Sequence, residues 1–233
     1  MTTAVILQPS YLPWRGYFHL MQRADVFVFY DDVQYDRHGW RNRNRVKTAS
    51  GPRWLTVPVL SSGHIAEKLP LRDARIDWRS PWPHKHRETI RQSYARAPHF
   101  ARHAALLDAI FTGRPERLCD LTIPATVALA EHLGIAGRRL LRSSELGIEG
   151  DRTERLVRIV RAVGATRYLS GPSARSYLDE AAFARAGIEL AYMTYAYPEY
   201  EQLHPPFDGE VSVLDLLFMM GPRAPELIWG GPT

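Results

Sequence analysis

The first thirty residues constrain the fold more than any other stretch. An apolar run at residues 3–8 (TAVILQ) is followed by the loop PSYLPWRG, a helical stretch ending near Arg23, and a second apolar run at residues 25–30. Two short apolar strands separated by a helix are joined by a crossover, which is right-handed and makes the strands parallel neighbours. Such a pair has to be covered on both faces, and 233 residues with 45% hydrophobic content supply the material. In open parallel sheets ligands sit beyond the carboxyl ends of the strands. The loop at residues 9–15 and the segment that begins at Asp31 are therefore expected to face one crevice.

The rest of the chain extends this unit. Residues 44–48 and 53–59 read as an antiparallel hairpin turned by ASGP, LSSGHIAEKLPLRD as a loop, and ARID as a short strand. Three helical segments follow at residues 83–97, 98–111 and 116–133, the last with a kink or break expected at Pro124. Strand and helix then alternate, with strands at 138–142, 166–170 and 188–194, helices at 153–163 and 178–186, and a closing helix at 212–220. Asp151 and Glu154 have the spacing of a capping box. The expected architecture is an α/β fold, a mostly parallel Rossmann-like sheet carrying an antiparallel hairpin. It forms a single domain over residues 1–233, with a helical insert at about 80–135.

Composition narrows the classes of function. The formal charge of +5 is carried almost wholly by arginine, since lysine occurs only at positions 47, 68 and 85, and it favours anionic ligands. No run approaches the roughly 18–20 apolar residues of a membrane span, and no basic segment precedes the first strand, so a cytoplasmic protein without membrane contact is expected. The single cysteine, Cys119, excludes an intramolecular disulfide and reads as a buried, inert thiol in a helix.

Several constellations could carry chemistry. In QPSYLPWRGY, two prolines stiffen the loop and Gly16 permits close backbone approach, which makes Gln8, Tyr11, Trp14 and Tyr17 candidate substrate contacts. The loop sits where HxGH-type nucleotidylyltransferases place theirs, but Trp14-Arg15-Gly16-Tyr17 lacks both histidines, which argues against nucleotidyl transfer by that mechanism. His19 lies off register and reads as a packed or surface side chain. Asp31 and Asp32 stand at the end of a buried strand, where a carboxylate can act as a general base or bind Mg²⁺; with Tyr35 they are the candidate catalytic residues, and Gln34 a polar contact.

Alternation along GWRNRNRVK sends Arg41, Arg43 and Arg45 to one face, with Asn42, Asn44 and Val46 on the other. Such a face suits phosphate, sulfate or carboxylate, and Arg43, Asn44 and Lys47 are assigned to anion contacts. A nucleic-acid backbone is the alternative occupant, disfavoured because no recognisable binding module surrounds the block. Ser170 and Gly171, after another strand, form the far wall of the crevice, and Lys85 and His86 of HKH are further substrate contacts. His99 and His103 lie at helical spacing without a third ligand, so no metal site is assigned and the cofactor is left unknown.

Together QPSYLPWRGYF, ADVFVFYDDVQY, NRNRVK with WLTVPV, KHRETIRQSYARAPHF, and TERLVRIVRAVGATRYLSGPSARSYLDEAAFARAGIEL resemble the WbqC family, in the same order over nearly the whole chain. WbqC-like proteins are associated with bacterial surface-polysaccharide and natural-product pathways. The resemblance implies a biosynthetic enzyme, a transferase or a related group-elimination enzyme, acting on a small, polar, anionic or activated molecule. The chain departs from the family's pattern at Leu7, where a histidine often precedes Gln-Pro, and in the closing helix, which often reads Leu-Leu-Phe-Asn before its glycine, whereas here Met219 and Met220 stand before Gly221. A non-catalytic partner of a pathway enzyme, or a homodimer formed through the apolar closing helix, is the other reading.

Overall fold

The protein is described from a computed structural model over residues 1–37, 39–60, 69–150 and 152–230. The opening unit forms as the pattern predicts: β1 (Thr3–Leu7), α1 (Arg15–Arg23) and β2 (Val26–Phe29), with β1 and β2 parallel and Ala4 opposite Val26. Side chains alternate between the two faces of these strands. Val5, Phe27 and Phe29 enter one apolar core, whereas Ala4, Ile6, Val26 and Val28 enter the other. Both faces of the central strands are thus buried, as a parallel sheet requires. Cutting Phe27 to alanine would cost about 3–5 kcal/mol, the usual penalty for emptying a phenyl-sized core position.

Between β2 and the next sheet strand the chain makes the hairpin β3 (Arg43–Thr48) and β4 (Gly51–Thr56), then α2 (Trp82–Tyr94), α3 (Ala104–Thr112) and α4 (Leu118–His132). The sheet resumes with β5 (Arg139–Arg142), α5 (Arg152–Ala162), β6 (Arg167–Ser170), α6 (Glu180–Arg185) and β7 (Glu189–Tyr192). The chain closes with α7 (Val213–Met220) and α8 (Glu226–Trp229). The five sheet strands are all parallel, in the order β5-β2-β1-β6-β7. The chain moves outward from β1 to β2 and β5, then returns to the other side of β1 with β6. The order reverses between β1 and β6, and the crevice beyond their carboxyl ends is where such sheets bind ligands.

Three local expectations are corrected. ARID makes only isolated bridges, Val59 to Ile76 and Arg75 to Arg117, because no neighbouring strand continues the ladder. Helix α4 runs through Pro124 without a break, its apolar face held in the core by Leu121, Ile123, Ala125 and Leu129. Ser212 is the cap of α7 rather than its first turn, its hydroxyl accepting from the Leu214 N–H. Asp151, the presumed capping-box residue, and most of the loop at 60–73 lie outside the described residues; Glu154 pairs instead with Arg158 at 2.5 Å. Cys119 is buried, and burial pushes its thiol up to about 12, which leaves it inert. Among the described residues no helix is long and apolar enough to cross a membrane.

Candidate functional site

A cavity of about 410 Å³ opens at the switch between β1 and β6. Its floor and walls come from the β1 loop (Leu7, Gln8, Ser10, Pro13, Trp14), from α1 (Tyr17, Leu20) and from the turn after β6 (Gly171, Pro172, Ser173). The segment leading into the hairpin closes it with Trp40 and Arg41, β3 adds Asn44, and the long C-terminal connection adds Tyr195 and Glu210.

The loop after β1 is a rigid piece of backbone. Leu12 has a φ of 45°, in the left-handed region, although it carries a side chain. Three hydrogen bonds tie this turn to its surroundings: Asn44 Nδ2 donates to the Leu12 carbonyl at 2.6 Å, the Tyr11 N–H to the Trp40 carbonyl, and the Val213 N–H to the Pro13 carbonyl. Gly16 has a steric reason. A Cβ at that position would lie 2.3 Å from the Trp14 ring, so only glycine lets the indole fold back over the start of α1. Trp14 in turn meets Tyr195 edge-on, with ring centroids 5.1 Å apart.

Arg41 is the cation of the cavity. Its Nη1 donates to the Gln8 carbonyl at 3.3 Å and to the Ser10 hydroxyl at 2.9 Å, both neutral acceptors, and among the described residues its buried Nε has no partner. Among the described residues it makes no ion pair. Burial lowers its pKa from the ordinary value, while neighbouring Tyr17 and Asp36 pull it up; a guanidinium stays charged through such a shift. Tyr195, pushed up to about 12 by burial, remains a protonated phenol, and its oxygen would stand 3.6 Å from a Cβ on Gly171. Glu210 is the carboxylate among the lining residues, held by Arg45 at 3.0 Å.

The predicted site residues divide between this cavity and its supports. Gln8, Trp14, Tyr17, Asn44 and Gly171 line it. Tyr11 does not: it is fully buried, its hydroxyl 2.9 Å from His86 Nδ1, so these two form an internal couple, and burial lowers His86 to about 4. Ser170 is buried beneath Gly171, its hydroxyl 3.4 Å from Tyr168 Oη. Arg43 leans over Trp54 with its guanidinium 4.6 Å from the ring centroid, on the outer face that alternation assigned to it. Lys47 is turned inward, its N–H bound to the Tyr94 hydroxyl and its ammonium to the Pro206 carbonyl. Lys85 is exposed on α2.

Asp31 and Asp32 occupy a different corner, between the ends of β2 and β5. Asp31 is 0% exposed and accepts from the Ser144 N–H at 3.0 Å and the Ser144 hydroxyl at 2.9 Å. Asp32 accepts from the Ser143 hydroxyl and from Arg155 Nη2, each at 2.5 Å. Neither borders the cavity. Gln34 is exposed beside Pro70, with which it forms an isolated bridge. Tyr35 is buried, and burial pushes its hydroxyl up to about 12. Among the described residues no group of three acidic, histidine or cysteine side chains is placed to hold a metal ion. His103 pairs with His132 (Nδ1 to Nδ1, 3.0 Å) rather than with His99.

Sequence reasoning missed Arg41 as an individual contact, and it missed Tyr195 and Glu210, which lie in an irregular segment with no periodic signal. It also missed Arg15. This buried guanidinium sits 4.6 Å from the Tyr197 ring and donates to the Pro198 carbonyl, holding the segment that delivers Tyr195. Asp215 is another internal anchor, bound by the Tyr94 and Tyr200 hydroxyls at 2.8 and 2.7 Å. A clue to Asp215 was present: an acid inside VLDLLFMM has to be paired if the helix is buried.

The WbqC-like protein family matches residues 8–227. The chain is 40% identical over 230 residues to the uncharacterized protein Rv1507c of Mycobacterium tuberculosis (strain ATCC 25618 / H37Rv), covering 98% of each chain. No solved structure matches it. With the match extending from the first residues of the cavity loop to α8, the chain belongs to the WbqC-like protein family.

Proposed function

We propose that this protein is a biosynthetic enzyme acting on an anionic or activated small molecule in the β1–β6 cavity, by group transfer or elimination of an anionic leaving group. The observation that carries the reading is Arg41: a half-buried cation on a cavity wall whose hydrogen-bond partners are a carbonyl and a hydroxyl. Asp36 acts on this guanidinium through space, and a ligand anion entering the cavity would add what the carbonyl and the hydroxyl do not supply, a direct counter-charge. The apolar walls of Trp14, Tyr17 and Leu20 fit a ligand with a hydrophobic or ring portion, as small-molecule sites generally do.

In the transfer form of the reaction, Glu210 takes the proton of an attacking hydroxyl or amine. The attacking oxygen or nitrogen bonds to the transferred group as the bond to the leaving group breaks, and the leaving group departs with that electron pair as the anion beside Arg41. Tyr195, protonated at neutral pH, donates a hydrogen bond to the substrate. The resemblance to a family associated with polysaccharide and natural-product pathways supports the biosynthetic part of the reading.

Thermal-shift measurements with phosphate, sulfate, diphosphate and anionic metabolites test it. An anion that raises the melting temperature of the native protein should lose that effect in Arg41→Gln. An undiminished shift in Arg41→Gln would place the anion elsewhere and end this reading.

A further inference from the structure

Outside the cavity lies an aromatic arrangement that the proposed reaction does not use. Trp40 and Trp54 are 40% and 44% exposed, among the largest apolar side chains left at the surface. Exposed tryptophans gathered in one place call for an explanation, because each leaves a large apolar area in water. Their rings are 5.1 Å apart and tilted by 39°.

The pair is held in place. Trp54 stands opposite Arg45 in the β3–β4 ladder, with Arg43 on the same face. The guanidinium of Arg43 lies 4.6 Å from the Trp54 ring centroid and that of Arg45 lies 5.8 Å away. Arg45 is itself fixed by Glu210 at 3.0 Å. Trp40 is fixed through its carbonyl, which accepts the Tyr11 N–H. The stack therefore runs from the two arginines through Trp54 to Trp40, and Trp40 is the member that borders the cavity.

We propose that Trp40 and Trp54 form a stacking subsite for the nucleobase of a nucleotide or nucleotide-activated substrate whose phosphates reach Arg41. This rests on the reading of Arg41 as the anion site and adds the chemistry of the remaining part of the ligand. A planar base offers a π face to an indole whatever its edge pattern, and an indole backed by cations is pre-organised to receive it. Trp40 and Arg41 are chain neighbours that line one cavity, which brings a ring contact and an anion contact within the span of a single nucleotide. Two polar side chains of the lining, the Gln8 amide and the Ser173 hydroxyl, are available types for the base edge or the sugar.

The test compares UDP, ADP and GDP with inorganic diphosphate by calorimetry and by tryptophan fluorescence, on native protein and on Trp40→Ala, Trp40→Phe, Trp54→Ala and Arg41→Gln. At least one nucleoside diphosphate should bind about 10-fold or more tightly than diphosphate and quench the emission, on the scale of base stacking on an aromatic side chain. Trp54→Ala should remove most of that advantage and leave diphosphate binding unchanged; Trp40→Ala should lower the nucleoside diphosphate's affinity more than that of diphosphate, while Trp40→Phe should keep much of the advantage.

Nucleoside diphosphates that bind no better than diphosphate, or equally well to the alanine variants, would overturn the subsite while leaving the Arg41 reading intact. Diphosphate binding that is insensitive to Arg41→Gln would overturn the Arg41 reading and with it the subsite that rests on it, as would no binding of any ligand. A single-stranded oligonucleotide that binds far more tightly than any mononucleotide, in a Trp54-dependent way, would give the shelf to nucleic acid and overturn the proposal.

Discussion

The side-chain amide of Asn44 on β3 donates a 2.6 Å hydrogen bond to the carbonyl of Leu12, the one turn residue of the β1 loop with a left-handed backbone. The bond joins two elements that sequence separates, and it holds the loop in a conformation a leucine does not favour by itself. Asn44 Oδ1 also accepts the Arg45 N–H at 2.7 Å, so both ends of the amide are engaged inside the protein.

Replacing Asn44 by aspartate or alanine is therefore expected to destabilise the protein by about 1–3 kcal/mol, the cost of leaving a buried acceptor unpaired. Chemical denaturation measures this directly. A variant with native stability would mean that the Leu12 turn holds without its clamp.

Gly16→Ala is expected to displace the Trp14 indole, because the added methyl carbon would stand 2.3 Å from the ring. Trp14 packs against Tyr195 across the cavity, so ligand affinity should fall along with stability. The loss should exceed the roughly 1 kcal/mol by which alanine ordinarily improves on glycine in a helix. A Gly16→Ala protein that is more stable and binds normally would contradict this packing of Trp14 over the start of α1.

The Asp31 and Asp32 corner should behave as a structural joint. Arg155→Ala leaves Asp32, whose side chain is mostly buried, without its cation, and a loss of about 3–5 kcal/mol is the usual scale for breaking a buried pair. Denaturation curves should shift accordingly, while the folded fraction should bind anion as before. A variant that stays fully stable but loses activity would return these acids to the chemistry that their place at the end of β2 suggested.

The pH dependence of stability has a definite sign at His19, His86 and His103, each lowered to about 4 by burial. The unfolded chain binds protons at these positions near pH 6.5, and the folded protein resists doing so until about pH 4. Their stabilising contribution is complete above the unfolded value and is lost as pH falls through this window. Melting temperature should drop between pH 6.5 and 4, and His86→Gln should flatten part of the drop. A melting temperature flat across that range would exclude buried neutral histidines.

Much of the fold was legible because local pattern and tertiary demand agree. The runs at β1 and β2 are apolar on both faces, as central parallel strands must be, and alternation through Asn42, Asn44 and Val46 gave the buried side of the hairpin. The crevice was legible in outline, since Gln8, Trp14, Tyr17, Asn44 and Gly171 do line it. What remained hidden depends on long-range pairing. Nothing near Asp31 announces that Ser143 and Ser144 will come to meet it from more than a hundred residues away. Lys47 and Asn44 lie on the same strand, yet one is pinned in the interior and the other borders the cavity, because Tyr94 and Pro206 happen to reach Lys47. Glu210 and Tyr195 sit in a connection with no helix or strand, where hydrophobic period carries no information.

The central claim, that the β1–β6 cavity takes an anion at Arg41, is tested most directly by a crystal structure of the protein soaked with diphosphate. The expected result is density for the anion within hydrogen-bond distance of the Arg41 guanidinium, between the β1 loop and the turn at Gly171, with Arg41 still bound to Ser10 or turned toward the ligand. Density at the Asp32–Arg155 corner instead, with the cavity empty, would contradict it.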